Sequence, residues 1–573
     1  MRALDFDQVK LGQGMLKDKL DEMAAFYRGL SNDDILHYMR LDAGLPAPGQ
    51  AWTGWYAHSR GMGTLGQWVS AYARLYALTG NEQDKAKAID LIDTFWLCHD
   101  HLEGTPKALL GCRSHYAFEK LVQAHCDLQV YAQVPTRDRV VRLVRFARET
   151  LDRTRAFGDN STEWYTMPEA LFNASRIFDL PEAAEEAETW LYRDYWALFA
   201  EGRDPFARKP EAGLYSDFCH AYSHVNAFNS CAAAYRHSRD PVLLKALKAF
   251  YRFMIDTQVM ATGGYGPEFE HLMPKDRIVN ALRTSHDSFE TQCDSYAAFR
   301  LCRHLTEIDG EAEYSDWVES LIYNAVLATI PMTPEGKVIY YSDYNMYGAS
   351  KVNRQDNWTC CTGTRPLLVL DMVRQLYYQD DSGLAICQFA PSEASWTQSG
   401  QTARIRQETN FPLDDTMKFQ LTLSSPDRFT LYFRRPAWLA GPMGLHVNGQ
   451  IADAFEVRGY LALTRRWQDG DCIELTVPQK LWMHALDKEK NGPNAFLHGP
   501  VVLGATYTGP QTPNDHMNVR RLPERMRPVP GQKLHYTVDG CDQLTFKPFY
   551  AYQEHERYFV YHDTTAHATI RFP

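Results

Sequence analysis

The feature that most restricts how this chain can fold is a change of hydrophobic period near residue 385. From about residue 15 to about 380, apolar residues recur at helical spacing, in segments of about 12 to 20 residues between short turns. In TLGQWVSAYARLYALTGN, the side chains of Leu65, Trp68, Tyr72, Leu75 and Tyr76 share one helical face, Gly80 and Asn81 supply a stop, and a new helix starts near Asp84. The same unit recurs around Asp179 to Pro181, Asp240 to Pro241 and Asp309 to Gly310, each with an acidic or proline-led restart. Stacked helical hairpins follow. For about a dozen helices the compact arrangements are an α-solenoid or a closed double ring, and a closed ring gathers its loops around one central pocket.

Beyond residue 385 the period drops to two. Phe429, Leu431 and Phe433 alternate with Thr430 and Tyr432, and Ile473, Leu475 and Val477 alternate with Glu474 and Thr476. The turn Asp469-Gly470-Asp471 is expected to join the second set to a strand around Tyr460 to Leu463 as an antiparallel meander. The closing segment YFVYHDTTAHATIRFP also reads as strand. The fold class expected is α + β multidomain, with helices over 1–384, a β-sandwich domain over 385–490 and a C-terminal β-sandwich domain over 491–573. A chain of 573 residues exceeds one hydrophobic core, in keeping with that division.

Charge and composition exclude several functions. A net charge of -11 disfavours a nucleic-acid partner, whose phosphates call for clustered Lys and Arg. No apolar run reaches the roughly 18 residues of a membrane span, and the acidic opening MRALDFDQVKLGQG has no signal-peptide character, so a cytoplasmic location is expected. Twelve irregularly spaced cysteines do not form a disulfide framework. Most read as buried thiols.

Two thiols stand apart. In NWTCCTGTRP, Cys360 and Cys361 sit beside a glycine-containing turn, before a helix expected to begin near Pro366, and a helix N-terminus favours thiolate. In SHDSFETQCDSYAAFRLC, Glu290 and Cys293 lie three apart at the start of a helix, where they are expected to share a face. Together these offer one oxygen and three sulfurs, a set that suits tetrahedral zinc. The bland alternatives are two buried structural cysteines and an acid that merely complements a helix dipole. In ATGGYGPEFEH, a turn at Gly263, Gly264 and Gly266 presents Glu268 and Glu270, and glycosidic cleavage requires such a carboxylic acid to protonate the leaving oxygen. Aromatic residues make up 13% of the chain, and the clusters WTGWY, EWYTMPE with Trp164, and YYSDYNMY with Tyr341 and Tyr344 carry the polar neighbours typical of a sugar site.

Taken together, these segments resemble glycoside hydrolase family 127, the β-L-arabinofuranosidase family, along nearly the whole chain. The likeness runs through AYSHVNAF at 221–228, TGGYG at 262–266, FETQC at 289–293 and the TCC stretch, then RPAW, HVNGQ, GPVVLG and PFYAY. It implies an (α/α)6 toroid followed by β-sandwich domains. It further implies a retaining, exo-acting hydrolase of a terminal sugar, with Cys360 as nucleophile, zinc on Cys360, Cys361, Cys293 and Glu290, and Glu268 or Glu270 as acid/base, the lean being to Glu268. His224 resembles a sugar-contacting residue.

Three departures from the family pattern stand out. Gln292 lengthens the Glu–Cys spacing to three, the stretch between Gly266 and Glu290 does not align, and Glu119 or Lys120 stands where family members carry a His, a change expected to alter which sugar is accepted. The expected partner is a glycan or glycoside, with no nucleic acid and no membrane, and a homodimer is compatible with the sequence. Two other readings fit the residues: a lyase or epimerase on the same toroid, and a sugar-binding protein whose thiolate site is a structural clip.

Overall fold

A computed structural model of the chain describes residues 1–105, 114–155, 163–207, 220–353, 356–489, 492–509 and 522–563. Six helices, Met62–Thr79, His115–Tyr131, Met167–Phe178, Ala221–Ser238, Gln292–Asp309 and Cys360–Arg374, each pack on the next, and the last packs on the first. They form a closed inner ring. Each is backed by an outer helix: Glu82–His101, Arg137–Thr150, Pro181–Thr189, Pro241–Phe253, Tyr314–Leu321 and, behind the last inner helix, Met15–Gly29. This is the (α/α)6 toroid.

The helix ends follow the local chemistry of the sequence. Gly80, Asp179 and Gly310 close their helices in the left-handed conformation, and Asn81 and Asp240 cap Glu82–His101 and Pro241–Phe253 through their side chains. Outer helices are one-sided: Pro241–Phe253 buries Leu243, Ala246, Leu247, Phe250 and Tyr251. Inner helices are buried on nearly every side. A Cβ on Gly66 would press into the backbone of Lys120, so the glycine sets how closely the first two inner helices approach.

The helix bearing Cys360 begins at that residue, one and a half turns earlier than expected from Pro366. Pro366 lies inside the helix, where it cannot donate to the carbonyl of Thr362. That oxygen instead accepts from the Tyr27 hydroxyl at 2.6 Å and the Trp68 indole N–H at 2.8 Å. Two neighbouring helices thereby satisfy what the proline leaves open.

The strands following the ring form three sheets. In the first, the order is 2–3, 377–380, 383–386, 427–434, 460–467, 455–457; in the second it is 450–451, 444–447, 472–476, 416–422, 401–409, 392–398, 9–11. These two sheets pack face to face, with Phe419 against Phe433 (5.2 Å between centroids) and Trp396 against Phe429 (5.8 Å). The alternation read from the sequence lies in this sandwich, but the expected meander does not. Strand 460–467 pairs with 427–434, whereas 472–476 pairs with 416–422 and 444–447 in the opposite sheet. The Asp469–Asp471 turn crosses between layers because its backbone bonds to Leu421. Strand pairing begins at Tyr377, and the first eleven residues contribute an edge strand to each layer.

The third sheet holds 481–485, 494–498, 501–507, 541–548, 536–538 and 526–528, with 561–562 on 494–498; the rest of the closing segment, 564–573, lies outside the described residues. Among the described residues no helix is long and apolar enough to cross a membrane. Ring and sandwich are joined by fully buried Arg434. Its guanidinium meets Asp316 at 2.5 Å and Glu319, both on an outer helix, and donates to the Cys387 carbonyl at 2.6 Å. Arg434→Met leaves Glu319 buried without its cation, and a loss of about 3–5 kcal/mol is expected in urea unfolding; a loss below about 1 kcal/mol would show that the joint does not depend on this charge.

Candidate active site

Three thiols from two inner helices meet at one end of the ring. Cys293 Sγ lies 3.5 Å from Cys361 Sγ and 3.8 Å from Cys360 Sγ, and all three fall within 4.8 Å of one another. Cys293 and Cys361 are buried, whereas Cys360 is partly exposed at the first position of its helix. Hydrogen bonds from Cys293, Cys361 and Tyr340 hold the Cys360 thiol well below the ordinary thiol range in spite of burial. Burial holds its two neighbours well above that range, so they keep their protons and donate to it. The separations suit a metal: sulfurs about 2.3 Å from a tetrahedral zinc stand about 3.8 Å apart. The triplet could hold a metal ion through three sulfurs and leave a fourth position open.

Glu290 does not join them. The helix starts at Gln292 with Thr291 as its extended cap, in a capping box with Asp294, so Glu290 precedes the cap and shares no helical face with Cys293. Its carboxyl is turned to Thr262 Oγ1 at 2.7 Å and Tyr344 OH at 2.5 Å. Burial pushes its pKa up to about 7, against the hydrogen bonds from Tyr344, Thr262 and Ser342. A Cβ on Gly264 would collide with this carboxylate, which gives the second glycine of the TGGYG segment its reason.

The structure separates the two candidate acids. Glu268, Phe269 and Glu270 occupy three successive left-handed conformations (φ 50°, 68° and 65°), each costing about 1–2 kcal/mol for a non-glycine residue. This turn sends Glu268 outward into an ion pair with Arg277 and Glu270 inward, where it is buried. Glu270 Oε2 accepts from Tyr340 OH at 3.2 Å and Tyr341 OH at 3.4 Å, and Thr291 Oγ1 donates to Oε1 at 3.2 Å. The Tyr340 hydroxyl is also 3.2 Å from Cys360 Sγ. Two contacts in series thus link carboxylate and sulfur, so their gap is at most twice 3.2 Å, a range that includes the roughly 5–5.5 Å typical of the paired groups in retaining glycosidases.

His220 completes the cluster, with Nε2 3.7 Å from Glu270 Oε2 and Nδ1 3.1 Å from Glu163 Oε1. Burial opposes a charge on this ring, but the two carboxylates more than offset it and raise its pKa well above the ordinary histidine value. His224, expected at the sugar, is fully buried among Tyr165, Tyr195 and Phe206. The position of the helix start decides between them: His220 is the cap and faces the pocket, while His224 lies a turn inside the helix and faces the core. Tyr344 is likewise taken up by Glu290 and packed on Phe289, away from the thiols. Trp164 is buried against Tyr165 and Tyr192. Lys120 pairs with Glu119 at 2.6 Å, its ammonium 3.4 Å above the Tyr116 ring. Of the residues singled out, Cys360, Cys361, Cys293, Glu270 and Tyr341 are brought together; Glu163, His220 and Tyr340 were missed.

Comparison with known proteins identifies the family and the fold. The catalytic-domain profile of the GH127 β-L-arabinofuranosidases matches residues 8–366, and the profile of the family's middle domain matches 383–479. No curated protein matches the chain. Among solved structures, the fold is similar to a GH127 β-L-arabinofuranosidase from Geobacillus stearothermophilus T6, with TM-score 0.71 and 17% identity over 97% of this chain and 99% of that one. It is similar too to a GH127 β-arabinofuranosidase with TM-score 0.73 and 14% identity over 99% and 98% of the two chains. With its catalytic profile spanning well over half of the residues, the chain belongs to the β-L-arabinofuranosidase family GH127 and is a glycoside hydrolase.

Proposed function

We propose that this enzyme is an exo-acting, retaining glycosidase that removes a terminal β-L-arabinofuranoside or a related sugar, with Cys360 as nucleophile and Glu270 as acid/base. The observation that carries the reading is the Tyr340 hydroxyl, set 3.2 Å from both the sulfur and the carboxylate. In the first step the Cys360 sulfur attacks the anomeric carbon while Glu270 gives its proton to the departing oxygen. In the second, Glu270 takes a proton from water, which displaces the sulfur with a second inversion. Tyr340 has one proton to donate. It serves the thiolate before attack and the Glu270 carboxylate after it, following the negative charge from one side of the sugar to the other. Burial and the nearby Cys360 and Glu270 keep the Tyr340 hydroxyl protonated throughout.

Cys293, Cys360 and Cys361 are the residues that would hold zinc. When bound, the ion keeps sulfur ionised at neutral pH while tempering its reactivity. Glu290 is a strut for the glycine turn in this reading. Support for the furanoside as substrate comes from family membership and from the names of the similar structures. Glu119 or Lys120 stands where the family resemblance leads one to expect a histidine, and acceptance of another sugar would arise there.

Two outcomes test this. Cys360→Ser is expected to fold normally and to lose at least about 10³-fold in kcat on p-nitrophenyl β-L-arabinofuranoside; near-native turnover would remove the sulfur from the reaction. For the metal, elemental analysis of purified Cys293→Ala should show the zinc content falling to a small fraction, while Glu290→Gln retains it. Loss of zinc in the Glu290 variant would restore that carboxylate to the ligand set.

A further inference from the structure

Glu163 has a backbone that a glutamate does not prefer. It sits at φ 52°, in the left-handed region, immediately before the short turn Trp164–Thr166 that opens the third inner helix. Its neighbours hold it there. Thr166 donates to the Glu163 carbonyl through both its backbone N–H (3.0 Å) and its hydroxyl (2.9 Å), Trp164 is buried, and Tyr165 OH donates to Ser223 at 3.1 Å. The side chain is buried as well, and its Oε2 has no hydrogen-bond partner among the described residues. A strained residue carrying a buried carboxylate with one unused oxygen is not explained by packing. The interaction that accounts for it is the 3.1 Å contact with His220 Nδ1.

We propose that Glu163 is a positioning residue which takes up the charge of His220 and thereby leaves Glu270 able to hold the proton that acid catalysis needs. The inference rests on Glu270 being the acid/base. His220 is a single cation between two carboxylates, nearer to Glu163 at 3.1 Å than to Glu270 at 3.7 Å. With Glu163 ionised and His220 charged, a protonated Glu270 gives the trio no net charge, the favoured state in a desolvated pocket. Without the Glu163 charge, Glu270 becomes the sole counter-ion of the imidazolium and gives up its proton.

The other groups facing His220 do not substitute for Glu163. Ser223, on the same helix, is neutral and 2.8 Å from Nδ1. Asp294, from the fifth inner helix, spends its Oδ2 on the Thr291 backbone N–H at 3.1 Å and hydroxyl at 2.9 Å. The Cys360 sulfur is engaged by the Tyr340 hydroxyl at 3.2 Å.

The test uses two leaving groups on one sugar. A p-nitrophenolate departs without a proton, whereas a methoxide requires one. In Glu163→Gln, which keeps the shape and the acceptor, the alkaline limb of kcat/KM for methyl β-L-arabinofuranoside is expected to move down by one pH unit or more. That is a loss of about tenfold or more on that limb. The kcat/KM of the p-nitrophenyl glycoside, which reports the first step alone, is expected to change by less than about threefold, since that departure takes no proton from Glu270. Glu163→Gly tolerates the left-handed backbone, removes the charge a second way and must give the same split. An unmoved limb, or equal losses on both substrates, overturns the role. Glu270→Gln, measured beside them, separates this inference from the one beneath it. If that variant spares kcat/KM of the p-nitrophenyl substrate and Glu163→Gln leaves the limb in place, only the Glu163 role falls; if it lowers kcat/KM of both substrates alike, the acid/base assignment falls and this inference with it.

Discussion

The six inner helices run in the same direction, and most of the chemistry of this protein follows from that alignment. Residues at their starts meet at one end of the ring: Cys293 with Cys360, and Tyr165 with Ser223. Residues from their later turns meet at the other, where Arg74 bonds Asp127 at 2.8 Å and Asp371 at 3.1 Å. Each helix carries partial positive charge at its start and partial negative charge at its finish. The catalytic end therefore favours a thiolate and carboxylates. At the far end, basic residues fall in closing turns, Arg176, Arg236 and Arg374 among them. A cavity of about 620 Å³ on the axis is lined there by Arg74, Asp127, Arg300 and Arg303. Its cations complement helix ends and bind acids such as Glu169 and Asp371, which explains a charged interior without a second ligand.

A polarised ring alone does not place the reacting groups, and the segments that do are strained. Left-handed backbone occurs at Glu163, at Glu268 to Glu270 and at Trp358, two residues before Cys360. Such conformations persist only where the surroundings over-determine them. For Trp358 the surroundings are Trp52, stacked at 3.8 Å, and Gly336, where any side chain would strike the indole. For the glutamate turn they are Glu290 against Gly264 and the backbone bonds of Phe269 to Ser288 and of Glu270 to Gly266. Glu290 is thus a buried acid used for shape, and its raised pKa is a consequence of that burial.

How much of this could be read from the chain depended on how local the cause was. Helix stops at Gly80, Asp179 and Gly310 are local chemistry, and they stand where the sequence puts them. So does the period change, since alternation needs only a half-buried sheet. The three sulfurs were legible as residue types that share a chemistry. What escaped turned on single-residue offsets that tertiary packing decides. A cap at Thr291 instead of Glu290 took a carboxylate off the helix face, and a cap at His220 gave the pocket that residue in place of His224. Pro366 suggested a helix start because its missing donor usually demands one; Tyr27 and Trp68, far off in sequence, supply the missing hydrogen bonds. The lean to Glu268 over Glu270 could not take account of the left-handed turn that pairs Glu268 with Arg277 and buries Glu270 near the thiols.

Tyr27 also shows why the sandwich matters to a site it does not line. Strand 9–11 adds an edge to the second sheet, and within four residues the chain enters the outer helix Met15–Gly29. That helix packs on the one bearing Cys360 and sends the Tyr27 hydroxyl to the Thr362 carbonyl at 2.6 Å. Strand 377–380 leaves the other end of the same inner helix and joins the first sheet, beside strand 2–3. The sixth hairpin of the ring is therefore assembled from the two ends of the helical region, roughly 330 residues apart, with no short loop to hold it. The sandwich supplies the missing connection by pairing both flanks in its sheets. The helix that carries Cys360 is thus tied to the sandwich through both of its flanks, so the β domain braces the scaffold of the candidate site.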